Sequence, residues 1–89
     1  MTIHELKCWP EPFEAIRSGA KTYEIREAID RDYQVGDELV LREWVPSLTL
    51  LSGKYTGRRE RVRVTYMTRG GQWGIPEGLC VMGIRWSGK

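Results

Sequence analysis

The chain holds one histidine, His4, and two cysteines, Cys8 and Cys80. A lone imidazole offers no histidine-based acid–base pair, and the two cysteines lie far apart with no metal-ligand spacing around them. No metal and no cofactor are expected. The cysteines read as small buried strand residues, and His4 as a hydrogen-bonded structural residue. No apolar run approaches the ~20 residues needed to cross a bilayer. Met1–Lys7 carries His4, Glu5 and Lys7 where a signal peptide would be apolar. A cytoplasmic location without a membrane partner, and without a disulfide, is expected. A surplus of one charge is also missing, because the formal net charge is only +2. Bulk charge therefore does not announce nucleic-acid binding. Repeats, linkers and low-complexity segments are lacking, so one domain over residues 1–89 with a single modest core is expected, and a monomer is favoured. Gly70-Gly71 lacks the pattern of a phosphate loop.

The informative stretch is Ser18–Glu27, SGAKTYEIRE. Residues two apart on a strand share a face, so Glu24 and Arg26 should stand roughly 6–7 Å apart on one side. Tyr23 and Ile25 then turn to the other, a side that suits a core. Strict alternation puts Lys21 on the Tyr23 face, so it reaches the pair only from the preceding loop or through a bulge. A fixed carboxylate and guanidinium can form an ion pair or grip a polar ligand.

Strands are predicted over Ile3–Cys8, Thr22–Glu27, Glu38–Val45, Arg58–Thr68 and Leu79–Trp86. A helix of barely two turns is predicted with Pro12 in its first turn, Glu11 and Glu14 in its N-terminal region, Phe13, Ile16 and Arg17 at helical spacing and Gly19 as its cap. In the third strand Leu39 and Leu41 face one way, Val40, Arg42 and Trp44 the other. In the fourth, Val62, Val64 and Tyr66 oppose Arg61, Arg63 and Thr65. Leu48, Leu50 and Leu51 form an apolar patch in a loop, which folds back on the body or meets a protein partner. Five short strands and one early helix point to an α+β fold, a small mixed β-barrel closed by contact between the first and last strands.

The run Gly19-x-Lys21-x-x-Glu24-x-Arg26 resembles the signature of the ASCH (activating signal cointegrator homology) domains of the PUA-like superfamily. The Val35-Gly36-Asp37 turn agrees. The ending Trp73-Gly74-Ile75-Pro76-Glu77-Gly78, with Val81-Met82-Gly83, looks like a subgroup of small bacterial and phage proteins of unassigned function. The resemblance covers nearly the whole chain and implies a PUA-like barrel with a cleft beside the motif. It implies RNA or a nucleotide as partner. Some bacterial relatives instead hydrolyse the amide of N4-acetylcytidine, using a lysine that matches Lys21, a threonine nucleophile and a later glutamate. Glu24 stands where that threonine would be, and a carboxylate does not simply replace a hydroxyl as acyl acceptor. Other relatives are reported as ribonucleases.

The candidate nucleic-acid site is therefore Lys21, Glu24 and Arg26, widened by Arg61, Arg63 and Trp73. Lys21 and Arg26 would meet phosphate or base carbonyls, Glu24 would orient them or accept from an exocyclic amine, and Trp73 would stack on an unpaired base. If the chain is an enzyme, Lys21, Glu24 and Glu77 are the residues expected to act. The bland alternatives are an internal salt-bridge group, a solvated arginine face along Arg58, Arg59, Arg61 and Arg63, and a Trp73 that plugs a barrel mouth. Trp44 and Trp86 are expected to be structural, and Trp9 is either a core anchor or a platform.

Overall fold

The first strand, β1 (Ile3–Cys8), alternates strictly, burying His4, Leu6 and Cys8 and exposing Ile3, Glu5 and Lys7. It belongs to a computed structural model that describes residues 1–47 and 52–87. The predicted patch at Leu48, Leu50 and Leu51 lies outside the described residues. The helix α1 (Pro10–Arg17) holds Pro12 in its first turn, as expected, and Pro10 takes the first helical position behind Trp9. Proline there loses only an N–H that has no intrahelical acceptor. Phe13 and Ile16 are its buried side chains. Ser18 is the C-cap, and Gly19 turns the chain away at φ 87°, a conformation that suits a residue without a Cβ.

Four more strands follow: β2 (Tyr23–Glu27), β3 (Glu38–Pro46), β4 (Gly53–Arg69) and β5 (Leu79–Trp86). They form one sheet in the order β1-β3-β4-β5-β2. The β1–β3 pair is parallel and the other three are antiparallel. The sheet curls into a half-barrel around Leu6, Phe13, Leu39, Leu41, Val62, Val64 and Met82. The α+β architecture with five strands and one short helix is as predicted.

The expected junction of first and last strands does not form. Both edges of β5 are occupied, one by β4 and one by β2, so β1 pairs with β3 instead and, among the described residues, the two free edges belong to β1 and β2. The long β4 begins at Gly53 rather than Arg58, and its ladder to β3 is irregular between Arg42 and Trp44. Tyr66 does not share the buried face of Val62 and Val64. A bulge between Val64 and Tyr66 breaks the alternation and leaves Tyr66 72% exposed.

Asp37 fixes the junction of β1 with β3. Its Oδ1 accepts from the Thr2 N–H at 3.0 Å. Its Oδ2 accepts from the Gln34 N–H at 3.0 Å and lies 2.9 Å from His4 Nε2. His4 is buried and its ring tilts against Tyr33, centroids 4.7 Å apart. The structural reading of His4 agrees with this place.

Candidate functional site

Glu24 is the centre of the site, and its burial reverses one expectation. Tyr23 and Ile25 were the residues expected inside, yet they are 46% and 52% exposed, while Glu24 is buried. The reason is the pair of cations that meets it. Arg26 Nε donates to Glu24 Oε1 at 2.8 Å, and Lys21 Nζ donates to Oε2 at 2.5 Å. With both carboxylate oxygens engaged, the charged face of β2 turns inward, because a buried charge persists only when paired and hydrogen-bonded. Lys21 reaches the pair from the loop before β2, one of the two expected routes, and also donates to the Tyr23 carbonyl at 2.7 Å. The three motif side chains therefore converge.

Arg26 has a second role that alternation alone does not reveal. Its Nη2 donates to the Lys7 carbonyl of β1 at 3.0 Å. β1 and β2 are the two free edges of the sheet, so a guanidinium spans the seam that no backbone ladder closes. The motif is in part a clasp.

Cys8 lies beside this group. Burial first, and the nearby Glu24 carboxylate second, push its thiol up to about 11 against the opposing pull of Arg26 and Lys21. Burial likewise raises Cys80. Neither thiolate is populated near neutrality. Both cysteines should resist an aromatic disulfide reagent at pH 7.5 in the folded protein and react fully in denaturant. Rapid titration of Cys8 in the native state would contradict this placement.

A cleft of about 330 Å³ opens next to the motif. Gly19, Lys21 and Thr22 form one rim, Ile16, Val62 and Ile84 the apolar floor, and Arg85 and Trp86 the far side. Trp86 is 44% exposed there, so its expected structural place includes a wall of the cleft. Glu24 and Arg26 do not line it. The floor residues escaped sequence reading because they look like any strand or helix core. The one local signal was Gly19, where an added Cβ would meet nothing within 4 Å.

The other candidates lie elsewhere. On β4, Val62 and Val64 are buried, and Arg61 and Arg63 project from the opposite, exposed face. Both are drawn to Glu38, Arg61 by a close hydrogen bond and Arg63 at 4.0 Å. The Arg61 guanidinium holds the Glu38 carboxyl below its ordinary range. Arg58 is structural. It grips Glu43 at 2.8 and 3.0 Å, and it also bonds Glu14 of α1. That bonding holds Glu43 below the usual carboxylate range.

Trp73 and Glu77 sit in the loop before β5, at the opposite end of that strand from Lys21, roughly 20 Å away along it. Trp73 is 85% exposed in the left-handed region at φ 55° and plugs nothing. Glu77 borders a separate hollow of about 200 Å³ with Arg69 and Cys80. The motif triad is thus assembled, whereas Arg61, Arg63, Trp73 and Glu77 are not brought to it. Among the described residues no cluster of three or more His, Cys, Asp or Glu could hold a metal. Nor is any described helix long and apolar enough to cross a membrane.

Comparison with known proteins gives this architecture a family. The "Uncharacterized 12.9 kDa protein in GpA 3'region" of Escherichia phage P2 is 38% identical over 71 residues, 80% of this chain. Those residues span 59% of the phage protein's length. A family model described as "Domain of unknown function (DUF3850)" matches residues 3–84, from the start of β1 through most of β5. The clasp, the cleft and the curled sheet are therefore features of a chain that belongs to the DUF3850 family.

Proposed function

We propose that the protein is a nucleotide- or RNA-binding module, that its half-barrel is a PUA-like barrel open along one seam, and that its motif is an ASCH-type signature. The observation that carries the reading is the position of Lys21, which lines an apolar cleft while a buried carboxylate holds its ammonium. The cleft volume lies at the small end of ligand pockets, which suits one base or nucleoside. Ile16, Val62 and Ile84 would cover the flat ring, Trp86 would stack at its edge, and Lys21 would meet phosphate or a base carbonyl.

The hydrolase reading has less support. Glu24 accepts from two cations and lies off the cleft lining, so it has neither a free oxygen nor an approach to an acyl group. Glu77, the other carboxylate considered, is at the far end of β5.

Lys21→Ala tests the binding reading. Titration of nucleoside monophosphates into the wild type, followed by amide chemical shifts, should perturb Gly19, Thr22, Ile84 and Trp86. Lys21→Ala should weaken that binding by about tenfold, the loss of one charge-assisted hydrogen bond. No shifts in the wild type with any nucleotide, or equal binding by the variant, would remove the cleft from consideration.

A further inference from the structure

The convex outer face of the sheet carries a second pattern, separate from the cleft. Register places Lys7 beside Arg42, Arg42 beside Arg59, and Arg63 beside Arg85. With Arg61, six cations share this face, opposed by the carboxylates of Glu5 and Glu38 and, on the edge strand β2, of Glu27. The whole chain has 14 Lys and Arg against 12 Asp and Glu, so among the described residues, which exclude Lys89, the remaining seven cations meet nine acids. The positive charge is therefore segregated onto one side. Arg59 and Arg85 have no ionic partner among the described residues, and Glu38 is shared between Arg61 and Arg63.

Aromatic rings stand at both ends of this stripe. At one end Trp9 is 56% and Tyr55 44% exposed. Arg42 lies over the Tyr55 ring at 3.9 Å, Lys7 lies over Trp44 at 4.1 Å, and Trp9 tilts against Trp44. At the other end Tyr23 and Tyr66 flank Gly83 on neighbouring strands. A Cβ at Gly83 would stand 3.3 Å from Thr65 Oγ1 and 3.8 Å from the Tyr66 Cβ. Arg59, Arg61 and Arg63 lie between these ends, spaced at about 7 Å along β4. That spacing is comparable to the separation of successive phosphates in an extended strand.

We infer that this outer face is a track for single-stranded nucleic acid. The arginine row neutralises the backbone, and Tyr55 and Trp9 at one end, with Tyr23 and Tyr66 at the other, stack unpaired bases. A stripe of cations framed by exposed rings is the chemistry of sequence-tolerant single-strand binding. The rings select unpaired bases over duplex, whose bases are stacked and out of reach. The track runs roughly 30 Å along the sheet, space for on the order of five nucleotides. It is distinct from the cleft, which would take one nucleotide and which meets this face at Arg85 and through Lys21, whose ammonium lies 4.8 Å from the centre of the Tyr23 ring.

The test uses the full chain and a fluorescein-labelled oligouridine of about twelve nucleotides, read by anisotropy across a salt series. The wild type should bind with a steep salt dependence. Arg59→Glu combined with Arg63→Glu, which leaves Arg61 to hold Glu38, should weaken binding at least tenfold. It should also flatten the log–log salt slope by about 1.4, at ~0.7 per phosphate contact. Tyr55→Ala should weaken binding roughly tenfold with the slope unchanged, since stacking releases no counterions. Amide spectra establish that each variant is folded. The track is overturned if the wild type fails to bind at low salt, if folded variants bind like wild type, or if heparin or duplex RNA binds as tightly as the single strand. Nucleoside monophosphate titrations separate the two sites, because the double variant should keep the cleft shifts, whereas Lys21→Ala, which also removes the cation over the Tyr23 ring, should weaken them and reduce oligouridine binding less than the double variant does.

Discussion

Arg26→Ala is expected to destabilise the protein by about 3 kcal/mol, because it removes one of two partners from a buried carboxylate. The variant loses the donor to Glu24 Oε1 and the guanidinium that reaches the Lys7 carbonyl across the seam. In a domain of this size that loss lowers the melting temperature by roughly 12–24 °C. Arg26 is about a quarter exposed at its side chain, so solvent offsets part of the pairing energy, and the figure sits at the lower end for broken buried pairs. A thermodynamic cycle with Glu24→Ala isolates the mechanism. The double variant should recover part of the loss, because no unpaired carboxylate is then left in the interior. Strictly additive losses in the cycle would show that the two groups do not act as a pair.

Asp37→Ala should cost a similar amount, about 3 kcal/mol, for a different reason. It leaves the Thr2 and Gln34 N–H groups and the His4 ring without their acceptor at a buried junction. The same residue predicts a pH dependence. Burial works to raise the Asp37 carboxyl, but hydrogen bonds from His4, Thr2 and Gln34 outweigh it and leave it below its ordinary value. Glu38 and Glu43 are lowered as well, by Arg61 and Arg58. A carboxylate lowered on folding adds stability above its unfolded pKa and loses it as pH falls through the folded value. Wild-type stability should therefore be flat from about pH 6 to pH 5 with respect to these groups and decline below about pH 4. Denaturant midpoints measured at closely spaced pH values test this. Asp37→Ala should show a shallower acid decline, and an identical decline would remove Asp37 from its cause.

The strands and the helix were legible because alternation and helical spacing are local signals. Phe13, Ile16, Val62, Val64, Leu39 and Leu41 all face the core as their periodicity predicts. That Glu24 and Arg26 share a face was likewise readable from spacing, whereas their ion pair and the approach of Lys21 from the loop were each one of two outcomes that spacing left open. What failed was information held between segments. Nothing near Tyr23 reveals that β2 turns its charged face inward, since that depends on Lys21 and Arg26 together meeting both oxygens of Glu24. The position of β1 beside β3 depends on β5 having both edges filled. The separation of Trp73 and Glu77 from Lys21 follows from the direction of β5, which sequence composition does not encode. The bulge at Tyr66 shifted a face that strict alternation assigns to the core.

The parallel pairing of β1 with β3 also bears on how the chain reaches its native state. Ile3 meets Glu38 across the whole of the helix and β2, so a long loop must close before any of that ladder is rewarded. β4 and β5 can form as a local hairpin, whereas β1 must wait for partners made far downstream. Such a contact pattern places folding in the millisecond-to-second range typical of non-local sheets. The two edge strands, β1 onto β3 and β2 onto β5 with Tyr23 opposite Gly83, would dock after the β3–β4–β5 meander.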